Sequence, residues 1–374
     1  MTTKPIGLYV HTPFCVRKCN YCDFCSYPTA DAEWRDNYLD TLVAEIDSYK
    51  GGGLSVDTVF FGGGTPSLLS PREFEKICDH INSAFSLLPE TEFTIEANPK
   101  TLSLQNLLAY KSCGVNRISM GIQSIHENEL KFLGRIHNRA DAFESYKLLR
   151  ASGIENVNLD LMYGIPGQSV DSFSKTLDEI LLLSPEHISL YGLILEEGTP
   201  FWSVKDELPI PSEDSECDMY YMAQDKLSAY GYSHYEISNY AKAGYECRHN
   251  LKYWRCDEYI GVGVSAYSCL DGYRFGNSSD ISEYLSAERE KYKYREEIDE
   301  SAAAYEFVML ALRLREGFSL TDYKNKFGRD FIDESRRSKI KELEGLGYIR
   351  LISDRIGLTD KGFYISNRIL TDLL

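Results

Sequence analysis

The sequence predicts an α/β chain: a partial (β/α)6 barrel followed by a small winged-helix-like α+β domain. Three observations carry this. First, apolar strand-like runs at 7–11, 57–61, 93–96, 117–121, 157–161 and 187–192 alternate with helical patterns at 32–49, 71–85, 104–113, 140–152 and 170–183. Such alternation builds a parallel sheet with right-handed crossovers. Second, chemistry-bearing residues recur where these strands end, which is the functional end of a barrel. Third, the pattern changes after residue 302: helices at 303–315, 320–327 and 331–344 lead into a β-hairpin over 347–362. The expected division is 1–285 for the barrel and a Tyr-rich extension, and 286–374 for a linker and the C-terminal domain.

Composition narrows the class. A chain of 374 residues can bury one large core and a smaller one. Ten cysteines raise the question of disulfides, but residues 1–5 run straight into the first strand without a secretory signal. No 18-residue apolar run predicts a membrane span, and peripheral membrane association stays compatible with this composition. The expectation is a cytoplasmic protein with reduced thiols, free for metal. A net charge of −17 argues against general nucleic-acid binding.

After strand one comes Cys15-Val-Arg-Lys-Cys19-Asn-Tyr-Cys22, a C-x3-C-x2-C spacing, with Cys25 three residues on. Three thiolates on one strand-to-helix loop can hold three irons of a [4Fe–4S] cluster and leave the fourth iron open for chemistry. The competing readings are zinc, with Cys25 as fourth ligand, and a set of small buried thiols. Zinc sites usually pair cysteines from two knuckles, and no C-x2-C exists elsewhere in the chain.

After strand two comes Gly62-Gly63-Gly64-Thr65-Pro66. It is either a tight turn or a loop whose backbone N–H groups approach a ligand, with the Thr65 hydroxyl beside them. Strand three ends at Glu96-Ala97-Asn98-Pro99, where a carboxylate suits a ribose or an amine, or simply faces solvent. Strand four ends at Gly121-Ile122-Gln123-Ser124, with Arg135 following. Gln123 and Arg135 suit polar and carboxylate contacts, or face solvent. Strand five carries Asp160 within an apolar run, where a carboxylate needs a partner. Tyr191 closes strand six.

The cysteine spacing resembles the radical S-adenosylmethionine (SAM) superfamily. Residues 9–15 (YVHTPFC), the GGGTP loop, the EANP turn, the GIQS run and residues 160–168 are similar to the HemN-like family of oxygen-independent coproporphyrinogen III oxidase and its relatives. The resemblance covers most of the chain. It implies that Cys15, Cys19 and Cys22 hold the cluster, and that an electron from the cluster cleaves SAM to a 5′-deoxyadenosyl radical. It implies SAM contacts at Tyr9, Gly63, Gly64, Thr65, Glu96, Gln123, Arg135 and Asp160. It also implies an electron donor to the cluster.

Three features favour the haem chaperone (HemW) branch. The oxidase carries a further cysteine two residues after the third, where this chain has Phe24, and it has a longer N-terminal extension than the 14 residues here. Downstream, His249-Asn250-Leu251-Lys252-Tyr253-Trp254 reads H-N-x-x-Y-W, a signature tied in that branch to haem binding. An imidazole can ligate haem iron and flat aromatics can cover a macrocycle, while a His–Asn pair can equally close a turn over core aromatics. The implied function is a haem chaperone that binds a [4Fe–4S] cluster, SAM and haem and passes haem to an acceptor protein. The alternatives are oxidative decarboxylation of coproporphyrinogen III, and another tetrapyrrole-modifying radical SAM reaction. Cys247 and Cys256, which flank the motif, read as inert thiols.

The Gly261-Val-Gly263-Val-Ser-Ala266 run lacks a dinucleotide fingerprint and reads as a strand packed close to its neighbour. The charge-dense stretch 286–301 reads as a solvated linker or helix face. Residues 300–374 hold 13 basic and 12 acidic side chains, so the C-terminal domain reads as a structural cap rather than a DNA-binding module.

Overall fold

The computed structural model describes residues 4–28, 31–288 and 291–374, so residues 1–5 of the N-terminal reading and Arg289 and Glu290 of the charged stretch fall partly or wholly outside it. Six strands run parallel in chain order: β1 (Ile6–Thr12), β2 (Ser55–Gly63), β3 (Ser86–Ala97), β4 (Arg117–Gln123), β5 (Asn156–Tyr163) and β6 (His187–Gly192). The helices between them include α1 (Ala32–Asp47), α2 (Pro71–Ala84), α3 (Leu104–Ser112), α4 (Glu127–Leu133), α5 (Arg139–Ala151) and α6 (Val170–Leu183). Their starts follow local chemistry. The Ser70 hydroxyl caps α2 by accepting from the Glu73 N–H, and the Ser70 N–H donates in return to the Glu73 carboxylate, with Pro71 as the first helical residue; Asn138 and Asp141 form the same reciprocal pair for α5.

The strands alternate in character. Leu8 and Val10, Val59 and Phe61, Phe93 and Ile95, and Ile118 and Met120 are buried in the large apolar core that also holds the helix faces. The residues between them, among them Tyr9, Phe60, Glu96, Ser119 and Asp160, line an internal cavity. One face thus builds the fold and the other a polar interior.

The strands run longer than the apolar runs because polar residues at their ends point inward. β3 differs most. Ser86 and Leu87 pair with Ser55 and Val56, and pairing resumes at Glu92 opposite Thr58. A bulge around Pro89 breaks the alternation, which hid the first half of this strand.

The sheet continues on both sides. Beyond β6 lie β7 (Ser233–Glu236) and β8 (Asn239–Ala241), preceded by α7 (Glu213–Ala229). α8 (Arg248–Trp254) then leads into β9 (Tyr259–Val262), which pairs parallel to β1, and into β10 (Tyr267–Leu270), β11 (Tyr273–Gly276) and β12 (Tyr294–Glu297). Among the described residues the order is β12-β11-β10-β9-β1-β2-β3-β4-β5-β6-β8-β7, an open sheet curved into a partial barrel. The Gly261 reading holds: a Cβ there would collide with the Tyr267 carbonyl oxygen. The charged stretch is neither linker nor helix throughout. Its residues 294–297 form the edge strand β12, where Glu296 lies opposite Arg274 and pairs with it at 3.0 Å.

The C-terminal helices span Glu300–Ala311, Leu320–Phe327 and Glu334–Gly345. The third starts later than its sequence suggests because Phe331 is buried in a second core and Asp333 caps the helix. Strands Ile349–Ile352 and Arg355–Leu358 form the hairpin, joined by Phe318–Ser319. This unit rests on the barrel's β7–β8 side, where His234 stacks on Tyr240 and meets the tilted ring of Phe363, at 4.3 and 5.1 Å between ring centres. Asp360 accepts hydrogen bonds from Gln224 and pairs with Arg315.

Candidate functional site

The cysteine loop closes over the C-terminal ends of the barrel strands. Phe14–Cys15 pairs with Tyr27–Pro28, and the Tyr27 N–H donates to the Pro13 carbonyl at 2.7 Å. Asn20 ties the loop to the segment after β4: its backbone N–H donates to the Leu133 carbonyl at 3.0 Å and its amide to the Phe132 carbonyl at 2.7 Å. Cys15, Cys19 and Cys22 all line one cavity of about 600 Å³. Cys25 does not. Its thiol points to the Ser279 carbonyl at 3.5 Å and the Tyr27 hydroxyl at 3.7 Å. The zinc arrangement with Cys25 as fourth ligand is therefore not assembled.

Among the described residues no three His, Cys, Asp or Glu side chains are grouped to hold a single metal ion. In an iron–sulfur cubane each thiolate meets a different iron, so three thiols around a cavity need not converge on one point. Burial raises the Cys15 thiol and pushes Cys22 up to about 11, so both would lose their protons to metal rather than to water. The Arg135 guanidinium lies 3.5 Å from the Cys19 sulfur, placing a positive charge beside the three cysteines.

The glycine turn packs directly against this loop. Gly63 has φ +109°, and a Cβ there would enter the His11 ring; at Gly64 it would come 2.6 Å from the Phe14 carbonyl oxygen. Glycine is needed for this close approach. The Gly64 N–H donates to the Thr12 carbonyl at 2.7 Å and the Gly63 N–H to Glu96 at 3.2 Å. These two donors are spent within the protein. Thr65 lies 3.7 Å from the Cys15 sulfur and accepts from the Asn98 amide at 2.9 Å.

Deeper in the cavity stand two buried carboxyl groups. Burial and the nearby Asp160 charge push Glu96 up to about 8. Burial also raises Asp160, opposed by hydrogen bonds from Asn158 and Ser189 and by the charges of Arg117 and Arg135. A bound cation would favour the ionised form of both. Gln123 holds a left-handed backbone, φ 67°, at the end of β4; a non-glycine residue there stores strain of order 1 kcal/mol or more. Arg135 donates to Asn98 at 2.7 Å and to the Gly121 carbonyl. The Tyr9 hydroxyl lies 3.0 Å from His11 Nδ1.

The structure thus brings Tyr9, Cys15, Cys19, Cys22, Gly63, Gly64, Thr65, Glu96, Gln123, Arg135 and Asp160 to one cavity. The donor set suits both implied groups: thiols for a cluster, and buried carboxyls with acceptor oxygens for the positively charged SAM. Sequence reasoning passed over His11 and Asn98, although both lie inside the runs that carried the resemblance. It also missed the rim. Val16, Phe24, Ile136, Tyr191 and Ile194 line the cavity and are all exposed, Phe24 at 61% and Ile194 at 67%. Nothing in a single sequence marks such residues, because apolar side chains read as core.

His249 is not among them. Its Nδ1 is 2.9 Å from the Thr58 hydroxyl and its Nε2 2.8 Å from the Tyr253 hydroxyl. The ring stacks on Phe60 and is wholly buried, and burial together with Lys252 and Arg117 lowers it to about 3. Whichever nitrogen ligated haem would first have to leave its protein partner. Of the motif, Asn250 is the residue that lines the cavity. His249→Ala is expected to lower stability by about 2–4 kcal/mol, from a buried void and two orphaned hydroxyls, while haem affinity stays within about twofold of wild type. Denaturant unfolding and haem titration check the two halves.

Compared with known families, residues 9–180 match the radical SAM superfamily and residues 298–365 match the HemN C-terminal domain. The chain is 36% identical over 369 residues to a Bacillus subtilis (strain 168) protein named "Heme chaperone HemW", covering 96% of this chain and 97% of that one. It is 35% identical to the protein of that name from Escherichia coli (strain K12), covering 98% and 97%. The solved structure of coproporphyrinogen III oxidase (HemN) from Escherichia coli, described as a radical SAM enzyme, superimposes with a TM-score of 0.86 at 22% identity, over 99% of this chain and 90% of that one. That likeness establishes the fold.

Proposed function

The chain belongs to the radical SAM superfamily and, within it, to the HemW family of haem chaperones, and from that membership we propose that it carries haem at the mouth of its barrel and passes it to an acceptor protein. Radical SAM membership implies a [4Fe–4S] cluster and SAM; Cys15, Cys19 and Cys22 are the residues that would hold the cluster. When bound, such a cluster supplies an electron to SAM, and its own electron would come from a donor protein or reductant. Glu96, Asp160, Gln123, Arg135, Tyr9 and Thr65 are the groups offered to SAM, with the Gly63–Gly64 turn beside them.

The observation that carries the haem reading is the exposed apolar rim. Five apolar or aromatic side chains stand in solvent around one cavity mouth. A monomeric protein rarely gathers these without a ligand or partner to cover them. Haem supplies a flat apolar face, and Arg17 and Lys18 on the same loop can meet its propionates. Transfer to an acceptor suits a site at the surface, where haem can leave without opening the barrel.

The fold is shared with an oxidase, so turnover must be tested directly. Anaerobic incubation of the cluster-loaded protein with SAM, a low-potential reductant and coproporphyrinogen III is expected to give no vinyl product beyond the no-protein control. Repeated turnover to a vinyl porphyrinogen would replace carriage with oxidative decarboxylation as the function.

A further inference from the structure

At the opposite end of the cavity from the cysteine loop lies Arg117, which is 2% exposed and lines the cavity. Its Nε has no hydrogen-bond partner, and among the described residues no ion pair engages its guanidinium. A buried arginine without a partner is costly, and proteins rarely keep one. The three nearby carboxylates are committed elsewhere. Glu96 accepts from the Gly63 N–H at 3.2 Å. Glu92 accepts from the backbone N–H groups of Arg248 and His249 at the start of α8, both at 3.0 Å. Asp160 accepts from Asn158 at 2.7 Å and faces the Ser119 hydroxyl at 3.4 Å. They temper the arginine's charge from a distance without pairing with it.

Two further groups come from the same neighbourhood, one from the adjacent strand and one from the first turn of α8, whose backbone N–H groups bond Glu92. Thr94, opposite Arg117 in the β3–β4 register, has a buried hydroxyl without a partner. Asn250 reaches the cavity from α8, and among the described residues no hydrogen bond engages its side-chain amide. Arg117 lies four residues before Gly121 on β4, about 13 Å lower along the strand. Arg135 and the cysteine loop are therefore out of its reach, while Asp160, whose backbone lies opposite Gly121, turns its carboxylate toward Ser119 and Asn158 between the two levels.

We infer that Arg117 and Asn250 form a second subsite in the cavity floor that binds a small organic carboxylate, distinct from the groups that face the cysteine loop. The guanidinium fork matches a carboxylate's two oxygens, and the Asn250 amide can donate to one of them. Phosphate suits the floor less well. It would bring two negative charges to one arginine, with Glu92 and Asp160 close by. The ligand is a monoanion that enters from the mouth, either as a free short-chain acid or as the acidic arm of a larger molecule.

Sodium propionate is the probe. It is titrated into the cluster-loaded full chain at constant ionic strength made up with sodium chloride, without haem, and read by calorimetry and unfolding temperature. Wild type is expected to bind saturably and to unfold at higher temperature as propionate rises. Asn250→Ala should weaken binding about tenfold. Arg117→Met should abolish binding while leaving the ligand-free unfolding temperature at or above that of wild type, because it removes an unpaired buried charge. Absence of saturable propionate binding, undiminished binding in either variant, or tighter binding of inorganic phosphate than of propionate would each overturn the assignment. If Arg117→Met fails to fold, Asn250→Ala decides alone. Because haem is absent, the outcome is independent of the haem reading.

Discussion

Cys19→Ala is expected to leave a folded protein without a cluster: iron falls from about four atoms per chain to near zero, and the brown chromophore around 400 nm is lost. Cys19 sits half-buried in a turn whose bonds run through the backbone and through Asn20, so removing its sulfur does not dismantle the loop. The cluster itself does not survive. A cubane left with two protein thiolates exposes two irons, and the Arg135 charge beside the vacated position no longer faces a thiolate. Cys25→Ala is the matched control. Its sulfur bonds to the Ser279 carbonyl and the Tyr27 hydroxyl, away from the cavity, so iron content should match wild type within error. Iron assay with absorbance after anaerobic reconstitution checks both variants. Equal iron loss in both would restore Cys25 as a ligand and undo the three-cysteine assignment.

The second large effect concerns the rim. Phe24→Asp combined with Ile194→Asp should weaken haem binding by roughly a hundredfold, with little change in unfolding temperature. Each side chain buried by a macrocycle is worth about 1.5–2 kcal/mol, and two together make about 3 kcal/mol, or two decades in affinity. Because both residues are exposed, at 61% and 67%, their loss removes no core contact. Haem titration followed by the Soret band gives the affinity, and a thermal melt separates lost binding from lost folding. Unchanged affinity in a normally folded double variant would place haem elsewhere.

The sequence carried the barrel because the strand and helix periods alternate and because apolar residues mark each strand's outer face. It carried most of the cavity wall too, since Glu96, Gln123 and Asp160 interrupt or end apolar runs. What it hid has physical causes. Arg117 opens a strand, where an isolated charge ordinarily faces solvent; only the fold places it in the cavity floor. Phe24 was legible as the absence of a cysteine, but not as an apolar group in water at the cavity mouth. His249 belongs to a motif that suggested an axial ligand, yet its neighbours Thr58 and Tyr253 come from 191 residues away and from one helical turn on. The first partner cannot be read from local spacing. The glycine turn was legible as a place of close approach, and the segment that packs against it is His11 to Phe14, just before the first cysteine.

In the proposed function haem is carried unaltered. The most direct measurement is anaerobic haem titration of the cluster-loaded protein, followed by SAM and reductant, with the macrocycle then extracted and weighed by mass spectrometry. The account predicts saturation at a single haem per chain and an extracted macrocycle of unchanged mass. Haem binding that never saturates, or a macrocycle altered by decarboxylation, methylation or ring opening, would contradict it.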